Sequence, residues 1–131
     1  MRVLLVEDHA DTRELFALIL LSNGFTVDVA ATGQQAVDQA AVSAPDVVVL
    51  DLQLPDMDGW SAARHLRAHP ATMHTAIVAV SAHAYDQDEA RAREVGCDAF
   101  VAKPCAPPEL LSAIHVAFDR RRRPAVHVRQ L

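Results

Sequence analysis

The sequence of 131 residues lacks the features that would place it among several other classes of protein. No apolar run approaches the roughly 18 residues of a membrane-spanning helix, and the nearest, LFALILL at 15–21, is short and flanked by charge. There is no signal peptide and there are only two cysteines, so we expect a cytoplasmic protein with reduced thiols and no membrane association. The net charge of −5 does not favour nucleic-acid binding.

Lysine is almost absent as well. Eleven of the twelve basic residues are arginine, and Lys103 is the only lysine. A GC-rich genome explains the arginine bias, and chance survival of one codon would explain Lys103. A site that needs a compact point charge rather than a planar guanidinium would explain it equally well.

Five strand-like runs alternate with five helical ones. The strand-like runs are RVLLV (2–6), TVDVA (26–30), VVVL (47–50), AIVAV (76–80) and AFVA (99–102). The helical runs are 11–24, 33–44, 60–70, 84–96 and 107–121. This alternation predicts an α/β fold with helices on both faces of a parallel sheet. TVDVA alternates in polarity, unlike the runs at 2–6, 47–50 and 76–80, and is therefore predicted to be an edge strand.

Helical periodicity predicts which side chains face the core. The predicted buried positions are Leu15, Leu18, Ile19 and Ser22 in one helix and Leu110, Leu111, Ile114 and Phe118 in another. Gly24 and Gly96 stand where the C-terminal glycines of helices are expected. The pattern predicts one domain over residues 1–119 and an arginine-rich tail over 120–131.

A carboxylate ends the apolar run VVVL. Pro55 disfavours helix at Leu54, and the next helix start is better placed at Asp58. Asp51 therefore ends a buried strand and caps no obvious helix, which raises the question of its partners.

Other polar residues follow the predicted strands at corresponding positions, and in a parallel sheet these positions meet at one edge. They are Glu7, Asp8, Asp51, Ser81 with Ala82, and Lys103 with Pro104. Each one has an ordinary explanation, such as a helix cap, a turn or a surface charge, but together they would require four coincidences. Clustered carboxylates need a cation, and Mg²⁺ is the hard cation that such oxygens hold. Carboxylate, metal, hydroxyl and ammonium form a phosphoryl-transfer site in which Asp51 is the candidate nucleophile.

The motifs LLVEDH (4–9), VVLDLQLPDMDGW (48–60), VSAHA (80–84) and AFVAKP (99–104) resemble those of the receiver domains of two-component response regulators, over residues 2 to about 119. The resemblance implies a flavodoxin-like doubly wound fold with strand order 2-1-3-4-5. It also implies a stand-alone receiver that catalyses only its own phosphotransfer and dephosphorylation.

The resemblance further implies a role for each site residue. Asp51 would accept the phosphoryl group. Mg²⁺, or Mn²⁺ in its place, would be held by Glu7, Asp8, Asp51 and the backbone carbonyl of Gln53. The phosphoryl group would be bound by Ser81, Ala82 and Lys103.

Further implied roles concern switching and timing. Ser81 and Phe100 would be the switch residues, and the Lys103–Pro104 peptide bond would be cis. Gln53 and His83 occupy positions that tune dephosphorylation, and we expect His83 to make the phosphoryl lifetime depend on pH. Phe100 lacks the hydroxyl of the tyrosine that many receivers carry.

The implied partners are a sensor histidine kinase or a histidine phosphotransfer protein, and an unknown downstream protein. The helix at 84–96, the strand at 99–102 and the helix at 107–121 would form the switched surface, which is also a possible homodimer interface. Two alternatives remain open at this point. One is a receiver-shaped adaptor that works without phosphorylation, and the other is a Mg²⁺-dependent phosphatase with an aspartate nucleophile, which would need an acid where Gln53 stands.

Overall fold

The computed structural model describes residues 1–82 and 86–122, in which strands and helices alternate along the chain. The strands are β1 (Arg2–Val6), β2 (Thr26–Ala30), β3 (Val47–Asp51), β4 (Ala76–Ser81) and β5 (Ala99–Ala102). The helices are α1 (Ala10–Ser22), α2 (Gly33–Ser43), α3 (Gly59–Ala68), α4 (Asp86–Glu94) and α5 (Pro107–Arg122). None of these helices, within the described ranges, combines the length and apolar character needed to cross a membrane.

The five strands form one parallel sheet in the order β2-β1-β3-β4-β5. β3 lies at its centre, and its last residue, Asp51, is in register with Val80 of β4. The order reverses direction between β1 and β3, and in such sheets a crevice opens beyond the carboxyl ends of the strands at that point. The predicted fold class and strand order are confirmed.

Helices cover both faces of the sheet. α2, α3 and α4 pack over the side chains of Leu4, Val48, Leu50 and Ile77 and their buried neighbours. On the other face, α1 and α5 pack over a second set that includes Val3, Val49 and Val78. β3 and β4 are buried along their whole length. β2 is an edge strand with half-exposed residues, as its alternating sequence predicts.

The predicted buried face of α1 is wrong. Leu15 and Leu18 are 56% and 62% exposed, whereas Phe16 and Leu20 are buried against the sheet. Leu15, Leu18 and Ile19, with the small Ser22, fit helical periodicity, but α1 is apolar on nearly all sides and the pattern cannot choose between faces. In α5, Leu110 and Ile114 are fully buried as predicted, and Leu111 and Phe118 are half-buried against the same cluster.

Helix ends follow the sequence closely. The carboxylate of Asp58 caps α3 by accepting the N–H of Ser61 at 2.7 Å, as expected for this position. Gly24 and Gly96 adopt φ values of +87° and +97°, which side chains with a Cβ rarely take. α5 continues to Arg122, so Arg120–Arg122 of the predicted tail are helical, and the remaining tail residues, 123–131, lie outside the described residues.

Arg67, at the end of α3, ties together the loops at the amino ends of β4 and β5. Its guanidinium donates to the carbonyls of Met73, Thr75 and Gly96. It also donates to the carboxylate of Asp98 at 2.9 Å. Asp98 in turn accepts the N–H of Ile77. One half-buried cation therefore satisfies polar groups of several neighbouring segments.

Arg121 completes this arrangement from α5. Its Nε donates to the second carboxylate oxygen of Asp98 at 2.8 Å. Arg120 donates to the backbone carbonyl of Asp98 at 2.8 Å. Part of the arginine run is therefore structural, and it fastens the end of α5 to the start of β5.

We predict that Arg67→Ala lowers the free energy of unfolding by about 3 kcal/mol, because it leaves buried carbonyls and a buried carboxylate short of a donor. Arg93→Ala is the matched control. Arg93 is 70% exposed, and within the described part of the chain its one ion pair is the i,i+4 contact with Glu89, so its loss should cost no more than about 0.5 kcal/mol. Urea unfolding followed by circular dichroism measures both values. Equal costs would contradict a structural role for Arg67.

Candidate functional site

The carboxyl ends of the strands bring the predicted site residues together. Asp51 and Ser81 are the last residues of β3 and β4. Glu7 follows β1 directly and extends its pairing by donating its N–H to the carbonyl of Ala30 at 3.0 Å. Lys103 follows β5, and its N–H donates to the carbonyl of Ser81 at 2.8 Å. The sheet backbone therefore fixes each of these positions.

Lys103 is the electrostatic centre of the site. Its ammonium lies 2.6 Å from Oε1 of Glu7 and 2.9 Å from Oδ2 of Asp51. Glu7 and Asp51 are only 2% and 4% exposed, so neither carboxylate is well solvated. The only lysine of the chain therefore compensates two buried acids that come from different strands.

The second oxygen of each buried acid has a backbone donor. The N–H of Gln53 donates to Oδ1 of Asp51 at 2.8 Å, and the N–H of His9 donates to Oε2 of Glu7 at 3.2 Å. Asp8 differs, because it is exposed and no other described residue binds its carboxylate. Oxygens of Glu7, Asp8 and Asp51 lie within 4.8 Å of one another.

Burial and neighbouring charges change the pKa values here. Burial raises the pKa of Glu7, and the charge of Asp51 adds to the rise, while hydrogen bonds from Lys103 and His9 oppose it. Burial alone would lower the pKa of Lys103, but its hydrogen bonds and charge interactions with Glu7 and Asp51 outweigh burial and raise it. Lys103 is therefore charged throughout the physiological range.

The residues present fit a divalent cation. Three carboxylates face one ammonium, which leaves two negative charges uncompensated when all three acids are ionised. Hard oxygen donors in this number suit Mg²⁺, which takes one or two carboxylates and retains several waters. Asp8 and Asp51 would hold such an ion, with Glu7 behind them and the carbonyl oxygen of Gln53 as a further ligand.

The loops around the site are held closely. Arg13 donates to the carbonyls of Glu7 at 2.9 Å and Asp8 at 3.3 Å, which fixes the turn between β1 and α1. A Cβ added to Gly59 would lie 2.8 Å from the carbonyl oxygen of Asp51 and 2.5 Å from Cα of Leu52. Only glycine therefore allows α3 to start this close to the end of β3.

The sequence pattern did not reveal the role of Arg13. A cation in the first turn of a helix works against the helix dipole, and this was the available signal that Arg13 is held there for another purpose.

The remaining predicted residues lie around this centre. Ser81 is buried, Ala82 next to it is exposed, and the Lys103–Pro104 peptide bond is cis, the geometry that the resemblance implies. Phe100 is half-buried and lines a groove between α4 and α5. His83 lies outside the described residues, so the expectation about its effect on the phosphoryl lifetime stays a prediction.

The sequence matches a known protein family over most of its length. The family described as "Response regulator receiver domain" matches residues 3–115. The chain belongs to this family. Receiver domains are regulatory parts of two-component systems, so the resemblance predicted from the motifs is confirmed at the level of the family.

Individual relatives agree with this assignment. The polar-differentiation response regulator DivK of Brucella ovis is 31% identical over 112 residues, which cover 86% of this chain and 91% of that protein. A putative response regulator from Chloroflexus aurantiacus is 29% identical with a TM-score of 0.86, and the match covers 91% of this chain and 98% of the other.

A third relative carries a metal. The receiver domain of sensor histidine kinase PA1611 from Pseudomonas aeruginosa is 31% identical, with a TM-score of 0.83 over 90% of this chain and 97% of that one. Its crystal structure contains a magnesium ion coordinated in the active site cleft.

We predict that Glu7→Gln stabilises the metal-free protein near neutral pH. Because the pKa of Glu7 is raised on folding, its stabilising contribution is complete below the ordinary value of 4.5 and is lost as the pH rises through the higher folded-state value. Glutamine retains an acceptor oxygen for Lys103 and carries no charge. Urea unfolding in EDTA over a pH series should show a difference near neutral pH that disappears in acid.

Glu14→Gln on the exposed surface of α1 is the control and should leave the pH dependence unchanged. If Glu7→Gln gave a curve parallel to the wild type at every pH, the buried charge of Glu7 would not matter to stability.

Proposed function

We propose that this chain is a phosphorylation switch in which Asp51 accepts a phosphoryl group from a sensor histidine kinase or a histidine phosphotransfer protein. The observation that carries the proposal is the contact of Lys103 with both Asp51 and Glu7, beside the exposed carboxylate of Asp8. Mg²⁺, or Mn²⁺ in its place, is the expected cofactor and supplies charge neutralisation for the transferring group.

The residues of this chain have distinct tasks in the transfer. An oxygen of Asp51 forms a bond to phosphorus while the bond from phosphorus to the donor's imidazole nitrogen breaks, and the imidazole leaves with that electron pair. The Gln53 N–H holds one oxygen of Asp51 in place. Lys103 then moves from Asp51 to a phosphoryl oxygen while Glu7, 2.6 Å away, keeps hold of it.

β5 provides a route from the site to a protein surface. Lys103 follows its carboxyl end, and Phe100 within the strand lines a groove of about 600 Å³ between α4 and α5. The backbone N–H of Lys103 donates a hydrogen bond to the carbonyl of Ser81, which joins the end of β5 to the end of β4. Ser81, Ala82 and Lys103 bind the new phosphoryl oxygens, and Phe100 changes position in response, which alters the α4–β5–α5 surface that a downstream protein contacts.

The two alternatives have less support. An adaptor that works without phosphorylation has no use for two buried carboxylates held by one half-buried lysine, an arrangement with a large desolvation cost. An aspartate-nucleophile phosphatase requires an acid two residues after the nucleophile, and Gln53 supplies none.

We predict a single phosphoryl adduct when the protein is incubated with Mg²⁺ and acetyl phosphate, measured by intact mass. Asp51→Asn replaces the nucleophilic carboxylate with an uncharged amide and EDTA removes the metal, so either change should abolish the adduct. Asp38→Asn is the matched control, because Asp38 is an exposed acid on α2. An adduct that survives Asp51→Asn would place the chemistry elsewhere.

If no adduct formed and beryllofluoride also failed to bind, the adaptor would become the better explanation. Turnover of a small phosphate ester with catalytic kinetics would instead support the phosphatase. Partner affinity that is unchanged by Asp51→Asn and by phosphoryl donors would again favour the adaptor.

We predict that phosphorylation changes the fluorescence of Trp60, the only tryptophan. The guanidinium of Arg91 on α4 lies 4.8 Å from the centre of the Trp60 ring, so a displacement of α4 alters the ring's environment. Beryllofluoride with Mg²⁺ should shift the emission of the wild type, and Arg91→Ala should remove most of that shift. Unchanged emission in a protein that carries the adduct would mean that the signal does not pass through α4.

A further inference from the structure

The loop that leaves Asp51 makes an unexpected contact with α2. We call residues 52–58 the phosphoacceptor loop. At its tip, Oδ1 of Asp56 accepts the N–H of Gly33 at 2.7 Å and Oδ2 accepts the N–H of Gln34 at 2.9 Å. These are the first two N–H groups of α2, where the helix dipole favours a negative charge. The same two hydrogen bonds lower the pKa of Asp56.

α2 already has a cap of its own. The hydroxyl of Thr32 accepts the N–H of Gln35 at 3.1 Å, and the side chain of Gln35 accepts the N–H of Ala31 at 2.9 Å. This reciprocal pair resembles a capping box, so part of the stabilisation of the N-terminus of α2 does not depend on Asp56. The hydrogen bonds that Asp56 accepts therefore hold the phosphoacceptor loop against α2 as well as stabilising the helix.

Packing reinforces the contact at the tip. A Cβ added to Gly33 would lie 2.4 Å from Cγ and 2.8 Å from Sδ of Met57. The side chain of Met57 therefore packs directly against the backbone of Gly33, and a larger residue at position 33 would have to displace it.

The base of the loop is closed as well. The N–H of Gly59 donates to the carbonyl of Leu52 at 3.0 Å, and Gln53 pairs with Asp58 across the loop. Gln53 is thus part of a closed base, and the tip of the same loop is held against α2. The N–H of Gln53 donates to the carboxylate of Asp51. Because the loop is held at both its base and its tip, the peptide groups of Gln53 cannot rotate freely.

We propose that Asp56 is a positioning residue for the phosphorylation site. By fastening the phosphoacceptor loop to α2, it keeps the N–H of Gln53 on Asp51 and the carbonyl of Gln53 directed for metal binding. This inference rests on the proposed function, since it concerns the metal and the acceptor at Asp51. Through Asp56, the N-terminus of α2 also helps to position the residues of the site.

Asp56→Ala is compared with Thr32→Ala, because each variant removes acceptors from the N-terminus of the same helix and only Asp56 connects it to the loop. Mg²⁺ titration calorimetry should give a dissociation constant raised about fivefold for Asp56→Ala, the factor that one capping interaction represents. Thr32→Ala should stay within about twofold of the wild type, with a comparable loss of thermal stability. Asp56→Asn retains one acceptor oxygen and should recover part of the affinity.

Amide hydrogen exchange of Gln53, measured without metal, tests the loop directly. Exchange should be faster in Asp56→Ala than in Thr32→Ala or the wild type. Gly33→Ala is a second perturbation, since its methyl group displaces Met57 while favouring the helix, and it should also weaken Mg²⁺ binding.

Equal effects of Asp56→Ala and Thr32→Ala on Mg²⁺ affinity and on Gln53 exchange, or no effect of either, would overturn the positioning role. A wild-type protein that bound no Mg²⁺ would instead refute the proposed function. The exchange of Gln53 would still report whether Asp56 holds the loop.

Discussion

The ammonium of Lys103 between two buried carboxylates is the interaction on which the rest of the site depends. Glu7 and Asp51 come from separate strands and lie in a region with little water. Without a cation between them, their mutual repulsion and their desolvation would oppose the strand order that brings them together. The fold thus holds an electrostatically costly arrangement in place, and it does so through the hydrogen bonds of the central sheet.

Polar interactions are organised differently at the two ends of that sheet. At the carboxyl ends, negative charge exceeds positive charge, and the exposed carboxylate of Asp8 remains available. At the amino ends, the buried carboxylate of Asp98 is matched by Arg67 and Arg121 and by a backbone N–H. At the amino ends every oxygen of the carboxylate has a donor and the arrangement serves stability, while the carboxyl ends retain an excess of negative charge that a cation can relieve.

The sequence predicted the strands and the cluster at their carboxyl ends, because these follow from alternation, burial and corresponding positions, whereas the strand order was implied by the resemblance to receiver domains. It did not predict the buried face of α1, where apolar residues on nearly all sides leave periodicity ambiguous. Nor did it predict the contacts of Arg67 and Asp56, which lie 31 and 23 residues from their partners Asp98 and Gly33. Local pattern carries no information about such pairings, since they exist only once the helices are packed.

The scarcity of lysine has a practical consequence. Lys103 offers the only side-chain amine in the chain, so acylating reagents have no target other than this residue and the terminal amine. Any modification of a lysine side chain would fall on the residue that holds Glu7 and Asp51, and because Lys103 stays charged there, an amine-reactive dye reacts more readily at the terminal amine. After digestion, acylation of the one lysine-containing peptide would report on this position alone, against a background of arginines that do not react.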